Sequence, residues 1–401
     1  MSRATKFFRS LSTEGGYLWR YSLDLKTRAG EREASATQIW VQPPGTPAVG
    51  QAFLRAFRAT GDKQYLDAAV AAARALVKGQ LESGGWDYVV EFDPKLRPQW
   101  NYRGTNTGAK NTSTLDDNNT QAAIRLLMDV NKAAPDRSFQ SAIDYALDSL
   151  LRVQAANGAF PQRYPAPPDG YYSYYTFNDN TMADVVDTLI QGHEFYKDKR
   201  YLDAVRKTGD FMLLAQQPEP QPVWAQQYDA KMKPAWARKF EPPSVCSQES
   251  AGVIRVLIRV WLATGDAKYL APIPAALAWF ERSQIAPGKW ARFYEIGTNK
   301  PLYFTRDYKL VYTDTDLPTH YSFQGEYNVP RTRAEYEAVR GRRVEDARAE
   351  RAKKPSAQQK AARRKALDPL VAGIATALDP EGRWVTNGQI VSRVFVDNLN
   401  T

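Results

Sequence analysis

The chain has 401 residues, of which 43% are hydrophobic and 24% charged, a balance typical of a globular protein with a large core. No run of about 18 apolar residues occurs, which argues against a membrane span, and a single cysteine, Cys246, excludes an internal disulfide. Only two histidines occur, His193 and His320, so the chain has few histidine side chains for a zinc site or for Ser-His-Asp catalysis. A metal would therefore be held by oxygen ligands, as calcium and magnesium are.

The net charge of +10 is concentrated near the C-terminus. Residues 331–365 contain 13 Lys and Arg against 5 Asp and Glu. The mixed charges and helix-forming residues of this segment indicate a solvated helix face more than a nucleic-acid arm. We therefore expect neither a nucleic-acid partner nor a membrane partner.

In chain order, residues 1–46 predict a short helix and a hairpin, and four helix pairs follow. Apolar side chains recur at helical spacing in each pair, and Thr181 with Asp184 fits a capping box at the start of the third. Three of the pairs share a join with an aspartate before a tyrosine and a leucine, at Asp62, Asp198 and Asp266. The predicted pairs span residues 47–81, 120–155, 181–217 and 249–286.

Each helix pair closes on an aromatic turn, and these turns recur at intervals of 74, 64 and 66 residues. A fixed period of helix pairs predicts an all-α fold, an α/α toroid or barrel of repeated hairpins with long loops and short β-strands at its rim. Equivalent loops, including those with Asp116 and Asp179, should then converge on one rim. The aromatic residues of the turns are Trp86, Phe160, Trp224 and Trp290.

The rest of the chain predicts additions to the same domain. A tyrosine-rich stretch over residues 302–327 is β-prone, and residues 331–401 read as charged helices followed by a strand-like end from Ile390 to Val396. We expect residues 1–401 to form a single catalytic domain and the protein to be a monomer.

The predicted rim combines carboxylates, tryptophans and tyrosines with arginines. Aromatic rings beside carboxylates suit sugars, and arginines beside them suit sugars that themselves carry carboxylates. This points to an acidic polysaccharide as the partner. The arginines are Arg163, Arg238, Arg292 and Arg306.

Several motifs in one order resemble the signature of the family 10 pectate lyases, from the first helix pair to Arg306. They are Thr114-Leu115-Asp116-Asp117, Asn157-Gly158-Ala159-Phe160-Pro161-Gln162-Arg163-Tyr164-Pro165, Phe177-Asn178-Asp179-Asn180-Thr181-Met182, Trp224-Ala225-Gln226-Gln227-Tyr228-Asp229 and Ala237-Arg238-Lys239-Phe240-Glu241.

This resemblance implies an α/α toroid and calcium-dependent β-elimination of polygalacturonate to 4,5-unsaturated products, normally outside the cytoplasm. It implies Asp116 and Asp179 as calcium and substrate-site acids, Asp116 also as a catalytic residue, and Arg238 as the base. The chain has Asp117 where the family usually has asparagine, which could alter calcium affinity or substrate binding. The implied or candidate substrate-binding residues are Asp117, Arg163, Trp224, Arg292 and Arg306.

Elementary chemistry is compatible with elimination, because the C5 proton of a uronate is α to its carboxylate and calcium could neutralise that charge. Two alternatives remain at this stage. Asp116 and Asp179 could be the acid and base of a toroidal glycoside hydrolase, or the protein could be a non-catalytic polysaccharide-binding module.

Overall fold

A computed structural model describes residues 1–167 and 170–401. The chain divides into two compact units: a first unit of Met1–Leu150 with Lys353–Thr401, and a second unit of Leu151–Ala352. No helix in the described part of the chain combines the length and apolarity needed to cross a membrane. The predicted single catalytic domain stays a prediction.

The first unit is built mainly from helices. It contains the first two of the four predicted helix pairs, α2/α3 and α4/α5. Helix α5 ends three residues past the boundary of the unit at Leu150. Its helices are α1 (Ser2–Ser10), α2 (Thr46–Thr60), α3 (Lys63–Lys78), α4 (Asn119–Ala133), α5 (Arg137–Val153), α12 (Ala357–Thr376) and α13 (Ser392–Asn400).

The second unit contains the other two predicted pairs, α6/α7 and α8/α9, so the prediction of repeated helix hairpins is confirmed. Two charged helices follow them. The helices are α6 (Thr181–Tyr196), α7 (Lys199–Ala215), α8 (Ser247–Thr264), α9 (Ile273–Arg282), α10 (Val329–Glu337) and α11 (Val344–Ala352).

Short strands connect the helices. In the first unit the strand order is β15-β16-β1-β2, and β3 pairs with β4; in the second it is β13-β12-β11-β9, with the pairs β10-β14 and β7-β8. The strands are β1 (Arg20–Ser22), β2 (Arg28–Ala29), β3 (Gln38–Trp40), β4 (Val89–Glu91), β5 (Ser113–Thr114), β6 (Arg163–Tyr164), β7 (Tyr175–Thr176), β8 (Gln227–Tyr228), β9 (Val245–Cys246), β10 (Trp290–Ala291), β11 (Phe293–Tyr294), β12 (Pro301–Phe304), β13 (Leu310–Val311), β14 (Gln324–Gly325), β15 (Val385–Thr386) and β16 (Gln389–Val391).

Two local predictions were wrong. The strand-like end predicted for Ile390 to Val396 stops at Val391, because Ser392, Phe395 and Val396 are buried at helical spacing on α13. The capping box predicted for Thr181 is also absent, since Asn180 is the N-cap of α6 and makes no side-chain capping hydrogen bond.

The joins between paired helices explain the recurring aspartate. Asp62, Asp198 and Asp266 are N-cap residues, and each accepts a hydrogen bond from the backbone N–H two residues later. The preceding residue ends the earlier helix in the left-handed region, at Gly61 (φ +73°) and Gly265 (φ +79°), with Lys197 (φ +58°) taking that place in the third pair.

The aromatic turns are fixed to the helices that precede them. In three of the four predicted turns, and again at Trp384, the indole Nε1–H donates to a backbone carbonyl in the last turn of the preceding helix, where carbonyl groups lack partners within the helix. The bonds are Trp86 to Leu76 at 2.8 Å, Trp224 to Met212 at 2.7 Å, Trp290 to Phe280 at 2.7 Å and Trp384 to Ile374 at 2.8 Å.

Hydroxyl groups then tie these turns to the next helix and to their own backbone. The Thr120 hydroxyl accepts from the Trp86 N–H, and the Ser250 hydroxyl accepts from the Trp224 N–H, both at 3.0 Å. Tyr228, four residues after Trp224, accepts from the Ala225 N–H at 2.8 Å and donates to the Ala215 carbonyl at 2.6 Å. Tyr294, four residues after Trp290, makes the equivalent pair of bonds: its hydroxyl accepts from the Ala291 N–H and donates to the Ser283 carbonyl.

Backbone conformation predicts opposite effects on stability for two glycine substitutions, one at a join between helices and one inside a helix. Gly61→Ala should lower the free energy of unfolding by about 1 kcal/mol, because its left-handed backbone is unfavourable for an L-residue even though the space around it is open. Gly252→Ala, within α8 and equally unobstructed, should raise it by roughly 0.5–1 kcal/mol. Urea denaturation would measure both, and a Gly61→Ala protein as stable as the parent would contradict the argument.

Candidate active site

Two aspartates occupy the same unusual turn, one in each unit. Asp117 and Asn118 have φ values of +50° and +59°, and Asp179 and Asn180 have +48° and +58°. Both pairs directly precede a helix, α4 in the first unit and α6 in the second. Asparagine and aspartate enter this left-handed region more easily than most residues, which explains why these types occupy the turn.

The backbone of these turns corrects the register that the sequence suggested. Asp179 is the equivalent of Asp117, whereas Asp116 is the equivalent of Asn178, because the left-handed residue is the second of each short 3₁₀ turn. The placement of Asp116 and Asp179 on one rim stays a prediction.

Asp116 is a buried carboxylate, and one of its two oxygens has no hydrogen-bond partner among the described residues. Its Oδ2 accepts a hydrogen bond from the Tyr88 hydroxyl at 3.0 Å, and its backbone N–H donates to the Thr114 hydroxyl at 3.1 Å. Its Oδ1 is buried and has no hydrogen-bond partner in the described part of the chain. A buried acceptor without a donor is costly, and a bound cation would satisfy it.

The neighbouring acids are held by amides. Gln42 donates to Oδ2 of Asp117 at 2.8 Å, and Asn178 donates to Oδ2 of Asp179 at 2.6 Å. Asp116 and Asp117 offer carboxylate oxygens in the first unit, and Asp179 offers them in the second. Carboxylate oxygens are ligands that suit calcium and magnesium.

Arg238 forms a two-pronged ion pair with Glu241. Its Nε and Nη2 donate to the two carboxylate oxygens at 2.8 and 2.6 Å, and the Tyr321 hydroxyl donates to Oε1 of Glu241 at 2.9 Å. The side chain of Glu241 is 1% exposed and that of Arg238 is 40% exposed. Hydrogen bonding to Glu241 raises the pKa of Arg238, and this effect opposes its predicted role as a base.

Burial alone would raise the pKa of the Glu241 carboxyl. The hydrogen bonds and charge of Arg238 outweigh burial, so the pKa of Glu241 lies below its ordinary value. Glu241 is therefore a buried anion that holds a half-exposed cation in one orientation.

Arg292 is buried in a second polar group of the same unit. Its two Nη atoms donate to Gln248 and Glu249, both at 3.0 Å, and its guanidinium lies 4.4 Å from the centre of the Tyr321 ring. Tyr321 thus contacts Arg292 with its ring and Glu241 with its hydroxyl.

The other predicted arginines differ in setting. Arg163 lies over the Tyr172 ring at 4.1 Å, and its buried Nε has no hydrogen-bond partner among the described residues. Arg306 is exposed and pairs with Asp316 at 3.3 Å. Contacts of Arg163, Arg292 and Arg306 with a substrate stay predictions.

Trp224 has a packing role in this structure. Its ring is fully buried and its indole N–H is bonded to the Met212 carbonyl, so it offers no face to a sugar. The predicted substrate contact of Trp224 stays a prediction, and the structure gives this residue a second role as the partner of a helix end.

The sequence offered Glu241, three residues after Arg238, as a pairing partner of that arginine, and the structure shows the pair and the burial of Glu241. Other residues around these side chains had no role in the sequence interpretation. Tyr321 and Tyr88 carried no signal beyond a high local tyrosine content, and Gln42 lies 75 residues from its partner Asp117.

Residues 92–289 match the model of the pectic acid lyase family. Among solved structures, the chain is similar to the family 10 polysaccharide lyase from Cellvibrio cellulosa, with 24% identity, a TM-score of 0.54 and coverage of 73% of this chain and 96% of that one. A mutant of a family 10 lyase from the same organism, in complex with trigalacturonic acid, gives 24% identity, a TM-score of 0.53 and coverage of 73% and 97%. Among curated proteins, none matches the chain in sequence. The predicted fold class, an α/α toroid of repeated hairpins, is confirmed.

Trp224→Phe tests the packing role against the predicted sugar contact. Loss of the indole bond leaves the Met212 carbonyl unpaired, so the free energy of unfolding should fall by roughly 1–3 kcal/mol. Binding of oligogalacturonates should not change. Trp236→Phe, at a residue that is 47% exposed, is the matched control and should change stability by less than about 0.5 kcal/mol. Weakened sugar binding with unchanged stability would support the original prediction.

Proposed function

We propose that the chain, whose residues 92–289 match the model of the pectic acid lyase family, is a pectate lyase that cleaves α-1,4-linked polygalacturonate by β-elimination with calcium. The observation that carries the proposal is that this one segment contains both aspartate turns and the pair of Arg238 with Glu241. A family 10 relative was solved with trigalacturonic acid, which supports the substrate class. We further propose that the protein acts outside the cytoplasm.

We propose that Asp116 and Asp179 hold the calcium, as the resemblance to the family 10 lyases implies, and that Asp117 contacts the substrate. Both calcium ligands would donate oxygen, as a hard cation requires, and Oδ1 of Asp116 is a buried acceptor without a partner among the described residues. When bound, the ion would supply positive charge to stabilise the negative charge that develops on the substrate carboxylate.

We propose that Arg238 removes the C5 proton of the uronate. A guanidine with an ordinary pKa is neutral in only about one molecule in a thousand near pH 9.5, which costs roughly 4 kcal/mol. Glu241 fixes the direction of the guanidinium by two hydrogen bonds but raises its pKa further. We therefore expect an alkaline optimum, with activity still rising above about pH 8.

Incubation with polygalacturonate and calcium tests the reaction class. Elimination should produce an ultraviolet absorbance from the 4,5-unsaturated product, and a calcium chelator or Asp179→Ala should abolish it. The matched control is Asp187→Ala, on the following helix, where the acid pairs with Arg259 instead. Reducing ends without absorbance would indicate hydrolysis, and the absence of both products would indicate a binding module.

The pH dependence of Glu241→Gln tests the role of Arg238. Removing the anion should lower the pKa of Arg238, so a larger neutral fraction would be present at a given pH and the rise of activity with pH should shift to lower pH. Arg238→Ala should reduce kcat by more than about a hundredfold.

Glu281→Gln, which removes a carboxylate from an exposed pair with Arg333, is the control and should leave the profile in place. If Arg238 instead acts as a cation that binds the substrate carboxylate, Glu241→Gln should raise KM without shifting the profile. An Arg238→Ala protein with more than about a hundredth of the parent kcat would rule out the base assignment.

A further inference from the structure

A cavity of about 470 Å³ in the second unit is bordered by the starts of three helices. Asn180 and Asn328 are the N-cap residues of α6 and α10, and Gln248 is the second residue of α8. The N-terminus of an α-helix carries partial positive charge and backbone N–H groups without helical partners. Three such ends beside one cavity favour an anionic ligand.

Arg255 adds a full positive charge to the same cavity. It lies on α8, is partly buried, and has no ion-pair partner among the residues that the structure describes. Other arginines of this unit are paired, as Arg259 is with Asp187 at 2.7 Å and Arg292 with Glu249 at 3.0 Å. Glu335 is close enough to attract Arg255 but is itself paired with Arg331 at 2.9 Å, so a ligand carboxylate would supply the direct ion pair that Arg255 lacks.

The remaining lining suits a sugar acid more than a simple ion. Ser322 and the amides of Asn180, Gln248 and Asn328 offer hydrogen bonds to hydroxyl groups, and Tyr327 offers a ring. One acid, Glu326, also borders the cavity and would oppose an anion. Its side chain is exposed to solvent, so it remains hydrated and can turn away.

We infer that this cavity binds a uronic acid residue of the substrate chain, other than the residue that is cleaved, with Arg255 holding its carboxylate. The position fits because Asn180 directly follows Asp179, one of the proposed calcium ligands, so the cavity begins beside the reaction site. This assignment rests on the proposed function. It adds an arginine that neither the motifs nor the predicted rim residues included.

The test compares Arg255→Gln with Arg259→Gln, a matched change one turn further along α8 at a residue that does not border the cavity. Loss of a charged hydrogen bond should weaken binding of hexagalacturonate about tenfold or more in calorimetry with a chelator present, where the proposed reaction does not run. With polygalacturonate and calcium, KM should rise by a similar factor and kcat should change less than about twofold. Arg259→Gln should match the parent in all three measurements.

Hexagalacturonate binding by Arg255→Gln that equals that of the parent would overturn the assignment, whatever the activity. A parent protein that binds hexagalacturonate through Arg255 but does not cleave polygalacturonate would overturn the proposed function and leave the cavity assigned. If Arg255→Gln does not fold, as judged by circular dichroism, Arg255→Lys against Arg259→Lys decides. Lysine keeps the charge but not the two-pronged geometry, so Arg255→Lys should show a smaller loss of binding.

Discussion

The fold depends on a hydrogen bond that recurs after several of its helices, from an indole N–H to a carbonyl in the last helical turn. These carbonyls have no helical partner, and the tryptophan supplies one while filling the adjacent core with its ring. The chain that leaves the tryptophan is then tied to the next helix by a threonine or serine hydroxyl. The starts of α4 and α8 are thereby positioned, and Asp116, Asp117, Gln248 and Glu249 lie at those starts.

The two aspartate turns illustrate how such positioning serves a site. Each contains two consecutive residues with positive φ, a conformation that costs an L-residue about 1 kcal/mol or more. The cost is reduced for aspartate and asparagine, and the rigid helix that follows holds the turn in place. Carboxylates presented in this way keep their orientation before any ligand arrives, which is the condition for electrostatic preorganisation.

The sequence predicted the helix pairs, their joins and the importance of the loops, because these follow from local periodicity and capping chemistry. It could not predict which aspartate of Asp116 and Asp117 matches Asp179, since that depends on backbone angles that both residue types can adopt. Nor could it separate a tryptophan that caps a helix from one that binds a sugar. The full set of hydrogen bonds around Arg238 and Glu241 could not be predicted either, because Tyr321, which donates to Glu241, lies 80 residues after Glu241 in the chain.

The tyrosines that fix the aromatic turns have a consequence for the behaviour of the protein in alkali. The Tyr21 hydroxyl accepts from the Leu18 N–H at 2.8 Å, next to Trp19. Burial raises the pKa of Tyr21 to about 12 and raises the pKa of Tyr228 and Tyr294 further, so their hydroxyl bonds persist at a pH where a free phenol ionises. An unfolded tyrosine titrates near 10, so above about pH 10 the unfolded chain releases protons that the folded chain retains. The stability that these residues contribute is complete below that pH and declines as the pH rises towards their folded values. Ionisation of these tyrosines in the unfolded chain therefore weakens the folded protein in alkali, even though their hydroxyl groups in the folded turns remain protonated.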